Sequence, residues 1–388
     1  MNNYTIVDTL DPERWNKFVD EHPKGSIFHT SYMVEVFKGT KNNEPLFLAA
    51  LDNAGEVLAL LVAVRVKTLP GPLSSIGSRS IFYAEPLCRE DALGVEALAA
   101  LVKEHDRRMR NKVLFTEVRP IKANGPERTA LERSNYQYED YLNYLIDLRR
   151  PADELWSSLS NTCRANIRRS QKKGVKLVDM TTPEGVDVLY HFLDLTYTLA
   201  KVPLADKSMF AEAVRVLQPL DMVRVFGAYL DESAEAQEPT TESASAPGHP
   251  PVGAPTALGT PIAACIVLLY KKVVYEWYWG VERTKSVYPA ESITWHRIEW
   301  GHQNGYDQYD FGGAGWPNKP YGVRDFKAKF GGELVHYGRY RRIYSPWKFA
   351  LAETGYEFLR NGVKSRLEGL KSGVRGRRSG VGRQNAEG

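Results

Sequence analysis

The chain has 388 residues, a length that predicts two or three domains of about 100–200 residues each. Hydrophobic residues make up 43% of the sequence and charged residues 25%, a balance that excludes wholesale disorder and fibrous repeats. The formal net charge is +4, but residues 360–388 alone contribute +6. The basic character therefore lies in a tail and in local patches, which does not fit a dedicated nucleic-acid coat protein.

The sequence predicts a cytoplasmic protein. Its N-terminus lacks a basic segment followed by an apolar one, so no secretory signal is expected. The longest apolar stretches, such as residues 58–64, fall far short of the roughly 20 residues that span a bilayer. Cys88, Cys163 and Cys265 are odd in number and widely separated, so they fit neither a disulfide framework nor a zinc site.

Residues 1–148 are predicted to form a first α+β domain. In chain order, its expected elements are helices at 12–21 and 31–37, a strand hairpin at 46–51 and 57–66, a helix at 92–109, and strands at 113–118 and 141–148. The last of these strands is expected to run into the second domain, with the junction at residues 148–151.

Residues 149–345 are predicted to form a second α+β domain around a mixed sheet. In chain order, we expect a helix at 153–173, a strand at 175–178, helices at 183–200 and 207–217, strands at 222–230, 262–270 and 273–280, a helix at 290–303, a strand at 307–311, a helix at 323–330 and a strand at 333–343. The first helix carries an apolar stripe at every fourth residue, formed by Leu155, Leu159, Cys163 and Ile167.

An insertion is predicted at residues 231–261. This stretch contains no Lys, no Arg and no aromatic residue, but six Pro, six Ala and five acidic residues. Such a composition cannot bury enough apolar area to offset the entropy of ordering, so we expect disorder. Because its flanks both read as strands, the insertion is interpreted as a long hairpin loop inside the second domain.

Residues 346–388 are predicted to form a C-terminal helix and a basic tail. Apolar residues from Phe349 to Leu370 recur at helical spacing, with Arg360 and Lys364 on other faces. One interpretation is a helix packed on the protein. The other is a basic amphipathic helix that contacts anionic membrane, which would place the protein peripherally at the inner membrane face.

Three segments are candidates for chemistry. Residues 161–176 hold six basic residues and no acidic one, with Arg164, Arg168 and Lys172 on one helix face. Like charges at this spacing repel, so either an anionic partner or a solvated basic face would explain them. The second segment, YDFGGAG at 309–315, follows a strand and has two glycines that permit a close backbone approach. In the third, GVRDFKAKFGGE at 322–333, the amine of Lys327 can hold an oxyanion or a carboxylate.

Two other patterns are set aside. His296, Glu299 and His302 are splayed around a helix, so a metal site there is not expected. Residues 377–382, RRSGVG, match the R-x-x-G-x-G pyrophosphate signature of acetyl-CoA-dependent acyltransferases, but no strand precedes them and no helix follows. Where that loop belongs, before the helix at 290, the sequence has no glycine-rich turn.

Taken in order, these segments resemble the Fem-type aminoacyltransferases and their FemAB-like relatives. The matching stretches are SNTCRANIRRSQKKGV, YEWYWGVERTKSVYPAESITWHRIEWG, YDFGGAG and FKAKFGGELV, which span residues 160–335. The resemblance implies two tandem GNAT-like (acetyltransferase-like) domains with mixed central sheets. It also implies transfer of an amino acid from aminoacyl-tRNA to an amine of a peptidoglycan precursor, or a related step in envelope assembly.

The resemblance also implies roles for individual residues. Lys327 would stabilise the developing oxyanion, and Glu117 would receive or orient the amine proton. The remaining implied positions are substrate-binding: Lys38, Arg164, Arg168 and Arg169 for a diphosphate or the tRNA backbone, and Tyr288, Asp310, Gly312 and Gly313 for the acyl end. Because an aminoacyl ester is already activated, no metal, cofactor or nucleophilic residue is required.

The resulting prediction is an acyltransferase that uses an activated ester, with aminoacyl-tRNA as donor and an envelope precursor amine as acceptor. The expected partners are that donor, or acyl-CoA, and a sugar-peptide or polysaccharide precursor that carries a phosphate. One alternative is an acyl-CoA-dependent N-acyltransferase in exopolysaccharide biosynthesis. The other is a non-enzymatic protein that binds anionic polymer through residues 161–176 and the tail.

Overall fold

The computed structural model describes residues 3–68, 77–123, 125–231, 258–282, 284 and 286–351. In the first part of the chain its elements are β1 (Tyr4–Val7), α1 (Pro12–Glu21), α2 (Ser31–Gly39), β2 (Asn43–Asp52), β3 (Val57–Val66), β4 (Arg79–Phe82), β5 (Leu87–Cys88), α3 (Ala92–Met109), β6 (Phe115–Val118), α4 (Glu127–Arg133) and β7 (Gln137–Glu139).

The second part continues with β8 (Leu142–Asp147), α5 (Ala152–Ser158), α6 (Asn161–Lys172), β9 (Val175–Asp179), α7 (Pro183–Ala200), α8 (Lys207–Leu217), β10 (Val223–Leu230), β11 (Thr260–Tyr270), β12 (Val273–Val281), α9 (Pro289–Gln303), β13 (Gln308–Gly315), α10 (Gly322–Ala328), β14 (Glu333–His336) and β15 (Arg339–Ile343).

The strands form two mixed sheets, as the sequence predicted. The first has the order β1-β2-β3-β4-β6-β15-β7, with β5 also paired to β3. The second has the order β14-β8-β13-β12-β11-β10-β9. Each sheet holds one parallel pair, β4 with β6 and β12 with β13, among antiparallel neighbours. The α+β fold class with two tandem units is therefore confirmed.

The two sheets exchange strands across the predicted boundary at residues 148 and 149. β8, which precedes that boundary, pairs with β13 and β14 in the second sheet. β15, near the end of the second unit, pairs with β6 and β7 in the first. The sequence predicted one strand at 333–343, but Gly338 has a φ of +72° and separates β14 from β15, so the chain crosses between sheets there. The domain boundaries themselves stay a prediction.

Three apolar cores hold the fold together. One lies between the sheets and joins both units, because Phe47 and Leu60 of the first sheet pack in the same cluster as Ile266 and Leu268 of the second. Another covers the outer face of the first sheet with α3. The third covers the other face of the second sheet, where the predicted stripe from Leu155 to Ile167 is buried.

The predicted helix at 153–173 is two helices. Leu159 is extended, with a ψ of 143°, and ends α5. The Ser160 hydroxyl then accepts a hydrogen bond from the Cys163 backbone N–H, which caps α6. The Ser160 N–H donates to the Lys329 carbonyl at 2.8 Å. This long-range contact breaks the helix although the apolar periodicity continues through it.

The predicted hairpin around the insertion is present: β10 and β11 pair antiparallel, and Leu230 stands opposite Thr260. Residues 232–257, most of the predicted insertion, lie outside the described residues. The same holds for residues 352–388 of the predicted C-terminal helix and tail, although residues 346–351 are helical. None of the described helices is both long and apolar enough to cross a membrane.

Candidate functional site

The parallel strands β12 and β13 separate partway along their length. They pair only from Val273 with Gln308 to Tyr275 with Asp310, although β12 continues to Val281 and β13 to Gly315. A cavity of about 410 Å³ lies at this gap and reaches across to the first unit. It is lined by residues of both sheets.

The wall from β13 consists of Asp310, Gly312 and Gly313. Gly312 has a φ of +67°, and its backbone N–H donates to Asp310 Oδ1 at 2.7 Å. A Cβ on Gly313 would lie 2.8 Å from the Tyr141 ring, so only glycine fits against that ring. The paired glycines were predicted to permit a close approach to the backbone. At Gly313 the group that approaches is the Tyr141 ring.

Asp310 is the ionisable group of this wall. Its side chain is only 3% exposed. Burial raises the pKa of Asp310 to about 6, although the hydrogen bond from the Gly312 N–H and the charge of Lys327 lower it. A carboxylate with this pKa is largely ionised at neutral pH and accepts a proton more readily than an exposed aspartate does.

Lys327 lies beneath β13 and is 4% exposed. Its Nζ donates to the Phe311 carbonyl at 2.5 Å and to the Gly313 carbonyl at 2.9 Å. Burial lowers the pKa of Lys327, while the carboxylates of Glu276 and Asp310 oppose that effect. Lys327 does not line the cavity itself, but it holds the strand that does.

A buried ion pair supports β12. Arg297 of α9 is fully buried, and its Nη2 lies 3.1 Å from Glu276 Oε2. The Tyr309 hydroxyl donates to the same oxygen at 2.9 Å. Because Glu276 belongs to β12 and Tyr309 to β13, this contact ties the strands together just before they separate.

The wall from the first sheet is cationic. Arg79, Arg119 and Arg339 line it, and Glu117 lies buried behind them. Arg119 Nε lies 2.5 Å and Arg339 Nη1 3.2 Å from Glu117 Oε1, and Arg341 Nη2 lies 3.5 Å from Glu117 Oε2. Burial by itself raises the pKa of Glu117, but these arginines outweigh it and lower that pKa to about 2.

The predicted basic residues of α6 lie elsewhere. Arg164 Nη1 donates to the Ser157 and Leu159 carbonyls at 2.6 Å, so it binds the end of α5. The Arg168 guanidinium lies 5.3 Å from the centroid of the Trp156 ring. Arg169 is exposed, and none of the three lines the cavity. Arg164 and Arg168 thus have partners within the protein. Such internal contacts are a third explanation for these basic residues, besides an anionic ligand and a solvated basic face.

Tyr288 and Lys38 also do not line the cavity. Tyr288 precedes α9, and its backbone N–H donates to Ser170 Oγ of α6 at 2.8 Å. Lys38, on α2, pairs with Glu35 at 2.5 Å on the surface. The structure therefore brings together Asp310, Gly312 and Gly313, with Lys327 directly below, while Glu117 joins the site only through its arginines.

Three cavity arginines were missed by the sequence analysis. Arg119 lies only two residues after Glu117, so its closeness to a predicted site residue could have been read from the sequence. Arg79 and Arg339 begin strands separated by 260 positions in the sequence, and only the pairing of β4, β6 and β15 brings them together. A larger depression of about 690 Å³ beside α1 is a weaker candidate, because Arg89 in its wall already pairs with Asp91 at 2.5 Å.

Comparisons with known proteins agree with this geometry. The sequence model of one family, described as an acetyltransferase (GNAT) domain, matches residues 254–327. A search of curated protein sequences gives no match. The cavity residues contributed by β12 and β13 all lie inside the matched range.

Among solved structures, the chain is similar to FemX, with a TM-score of 0.63 and 14% identity over 87% of this chain and 97% of that one. It is similar to a tandem GNAT protein from the clavulanic acid biosynthesis pathway, with a TM-score of 0.53 and 13% identity over 88% and 99% of the two chains. A third likeness is to the C-terminal domain of a protein assigned as a lysylphosphatidylglycerol synthetase from Agrobacterium fabrum, with a TM-score of 0.52 and 13% identity over 89% and 96%.

At these identities the structural likenesses establish the fold, which is a tandem GNAT fold over most of the chain. Together with the matched acetyltransferase domain, they support the resemblance to FemAB-like, GNAT-related proteins drawn from the sequence motifs.

Proposed function

We propose that the protein transfers an aminoacyl group from an activated ester, with aminoacyl-tRNA as donor, to an amine of a peptidoglycan or other envelope precursor. The observation that carries this proposal is the separation of β12 and β13 at a cavity that both units line. Such a gap accepts an extended acyl chain between two strands and leaves the other unit free to position the amine.

Asp310 is the proton acceptor in this proposal. An alkyl ammonium must lose a proton before its nitrogen can attack, and Asp310 lines the cavity as a carboxylate with a pKa raised to about 6 by burial. Asp310 accepts that proton, and the neutral nitrogen then forms a bond to the ester carbonyl carbon. The ester C–O bond breaks, and a second proton from the nitrogen passes to the alcohol oxygen of the carrier, which leaves as the free alcohol.

Glu117 fits this role less well than the resemblance implied. Its pKa is lowered to about 2, and two of its arginine partners lie between it and the cavity. A carboxylate held in this way is a weak base. We therefore propose that Glu117 orients the arginines of the first unit and that proton transfer belongs to Asp310.

Lys327 contributes to the proposal through charge and position. Two of its three N–H donors hold the Phe311 and Gly313 carbonyls, which leaves one donor and the full positive charge beneath the gap. A preorganised cation in a water-poor site stabilises an oxyanion as it develops, by about 3–4 kcal/mol for one good donor. The remaining predicted positions, Lys38, Arg164, Arg168, Arg169 and Tyr288, are proposed only as outer contacts of a long donor such as tRNA.

The second candidate function is acyl transfer from acyl-CoA to an amine of an exopolysaccharide precursor. The matched acetyltransferase domain and the likeness to the tandem GNAT protein favour it. The segment between β12 and α9, residues 282–288, contains no glycine, and a glycine-rich turn there would supply backbone N–H groups for a pyrophosphate. For this reason the ester donor is preferred. In either case we propose a cytoplasmic site of action, with the helix predicted from the sequence of residues 346–388 as a contact to the inner membrane face.

The test is a donor competition. Purified full-length protein is incubated with a pool of charged tRNAs and, separately, with acyl-CoAs, in each case with amine acceptors that include amino-sugar peptide precursors. Mass spectrometry follows loss of the acyl group and formation of the amide. The proposal predicts amide formation from the tRNA pool alone.

Consumption of acyl-CoA alone would establish the second candidate instead. Absence of product from every donor, together with binding to anionic polymer that weakens steeply with salt, would establish the non-enzymatic alternative. Asp310→Asn is the matched control, since its amide still accepts the Gly312 N–H but cannot take up a proton.

A further inference from the structure

The wall of the cavity that the first sheet forms carries more positive charge than its paired carboxylate balances. Arg79, Arg119 and Arg339 contribute three positive charges, and Glu117 is the carboxylate paired with two of them. Two positive charges therefore remain uncompensated in a half-buried site. Clustering like charges there costs free energy unless an anion joins them.

Arg79 is the least satisfied member of this group. It lines the cavity, but no ion pair holds it within the described part of the chain, and its Nε is buried without a hydrogen-bond partner. A buried guanidinium N–H without a partner is costly, so the fold itself satisfies this side chain poorly. Arg79 is therefore available to bind an anion in the cavity, whereas it stabilises the fold through no ion pair of the described chain.

Arg119 and Arg339 are held in fixed orientations beside it. Glu117 binds both through one oxygen, and Arg339 also stacks on Tyr141, with its guanidinium carbon 3.7 Å from the ring centroid. Arg119 lies 5.7 Å from the centroid of the Tyr83 ring. Planar guanidinium groups fixed in this way match the oxygens of a phosphate or carboxylate with little loss of side-chain entropy.

We propose that Arg79, Arg119 and Arg339 form the binding site for the anionic group, a phosphate or diphosphate, of the amine-bearing substrate. Asp310 lines the same cavity, so an anion bound at the arginines would anchor the acceptor while its amine reaches the β13 wall. The inference rests on the proposed function for the identity of the substrate. It moves the phosphate contact from the arginines of α6 to the first sheet.

The experiment measures binding of inorganic pyrophosphate, phosphate and acetate to the full-length protein by isothermal titration calorimetry at constant ionic strength. We expect saturable binding of pyrophosphate, weaker binding of phosphate and the weakest of acetate. Arg79→Gln, which breaks no ion pair of the described chain, is expected to weaken pyrophosphate binding at least tenfold, and Arg79→Lys to restore part of it. Arg107→Gln, an exposed arginine of α3, is the matched control and should leave the affinity unchanged.

Absence of saturable pyrophosphate binding to the wild type would overturn the inference, as would equal affinity in Arg79→Gln. Loss of binding in Arg168→Gln but not in Arg79→Gln would place the anion on α6 and also overturn it. Preference for acetate would replace the phosphate with a carboxylate and contradict the stated ligand. Failure of acyl transfer is a separate result, because pyrophosphate binding that depends on Arg79 is measured without any acyl donor.

Discussion

The ammonium group of Lys327 lies 2.9 Å from the carbonyl oxygen of Gly313, and the same group binds the carbonyl of Phe311. The helix α10 thus binds the backbone of β13 beyond Asp310, the last residue at which β13 pairs with β12. A residue that motif resemblance singled out as catalytic is, in the structure, bound to the backbone of the cavity wall. Its structural and chemical contributions can be separated by experiment.

Lys327→Met is expected to lower turnover about 100-fold or more, because it removes the cation beneath the gap. The free energy of unfolding should fall by about 1–3 kcal/mol, because two buried carbonyls lose their partner. Acceptor affinity should change little. Steady-state kinetics, acceptor titration and urea denaturation measure the three effects. Lys329→Met is the matched control, since Lys329 lies two residues further along and pairs with Glu291 rather than with the backbone of β13. Unchanged turnover in Lys327→Met would remove Lys327 from the mechanism.

Glu117→Gln is expected to destabilise the protein by about 3 kcal/mol, since it leaves partly buried guanidinium groups without their carboxylate. The pKa of Glu117 is lowered to about 2 in the folded state, so its stabilisation is complete above the unfolded pKa near 4.5 and is lost as the pH falls toward 2. Urea denaturation at pH values between 2.5 and 7 should therefore show a smaller pH dependence in the variant. Equal slopes in the two proteins would contradict the ion network.

A fragment ending at residue 148 is not expected to fold. It would lack β15, which joins β6 to β7 in the first sheet, and it would carry β8 without its partners β13 and β14. Half of the shared core between the sheets would also be exposed. Circular dichroism and amide-proton dispersion in NMR spectra test this, and the full chain should unfold in one cooperative transition. A well-dispersed spectrum from the fragment would show that the units are independent.

Much of the fold follows from local signals. The helix from Pro12 begins where the Asp11 carboxylate accepts hydrogen bonds from the Glu13 and Arg14 backbone, and the hairpin of β2 and β3 turns at Gly55, which has a φ of +84°. Such features are set by neighbours in the sequence. The exchange of β8 and β15 between the sheets is not set by sequence neighbours. It depends on which strand edges, distant in the sequence, are free to pair.

The candidate site divides in the same way. Asp310, Gly312 and Gly313 stand in one short motif, so sequence reasoning could find them together. The cationic wall could not be found in this way, because Arg79 and Arg339 become neighbours only through strand pairing. The high density of basic residues at 161–176 does not indicate where the cavity lies. Arg164, for example, binds the carbonyls at the end of α5.

The most direct test of the central claim is the pH dependence of kcat/KM for wild type and Asp310→Asn, with whichever donor supports amide formation. The account predicts that wild-type kcat/KM falls as the pH drops through about 6, and that the variant loses at least 100-fold at pH 7.5. It also predicts that the variant is at least as stable as wild type at that pH. Because the pKa of Asp310 is raised in the folded state, ionisation of Asp310 lowers the free energy of unfolding of the wild type. This loss is absent below the unfolded pKa near 3.8 and complete above about 6. A variant with full activity and an unchanged pH profile would contradict proton transfer at the gap between β12 and β13.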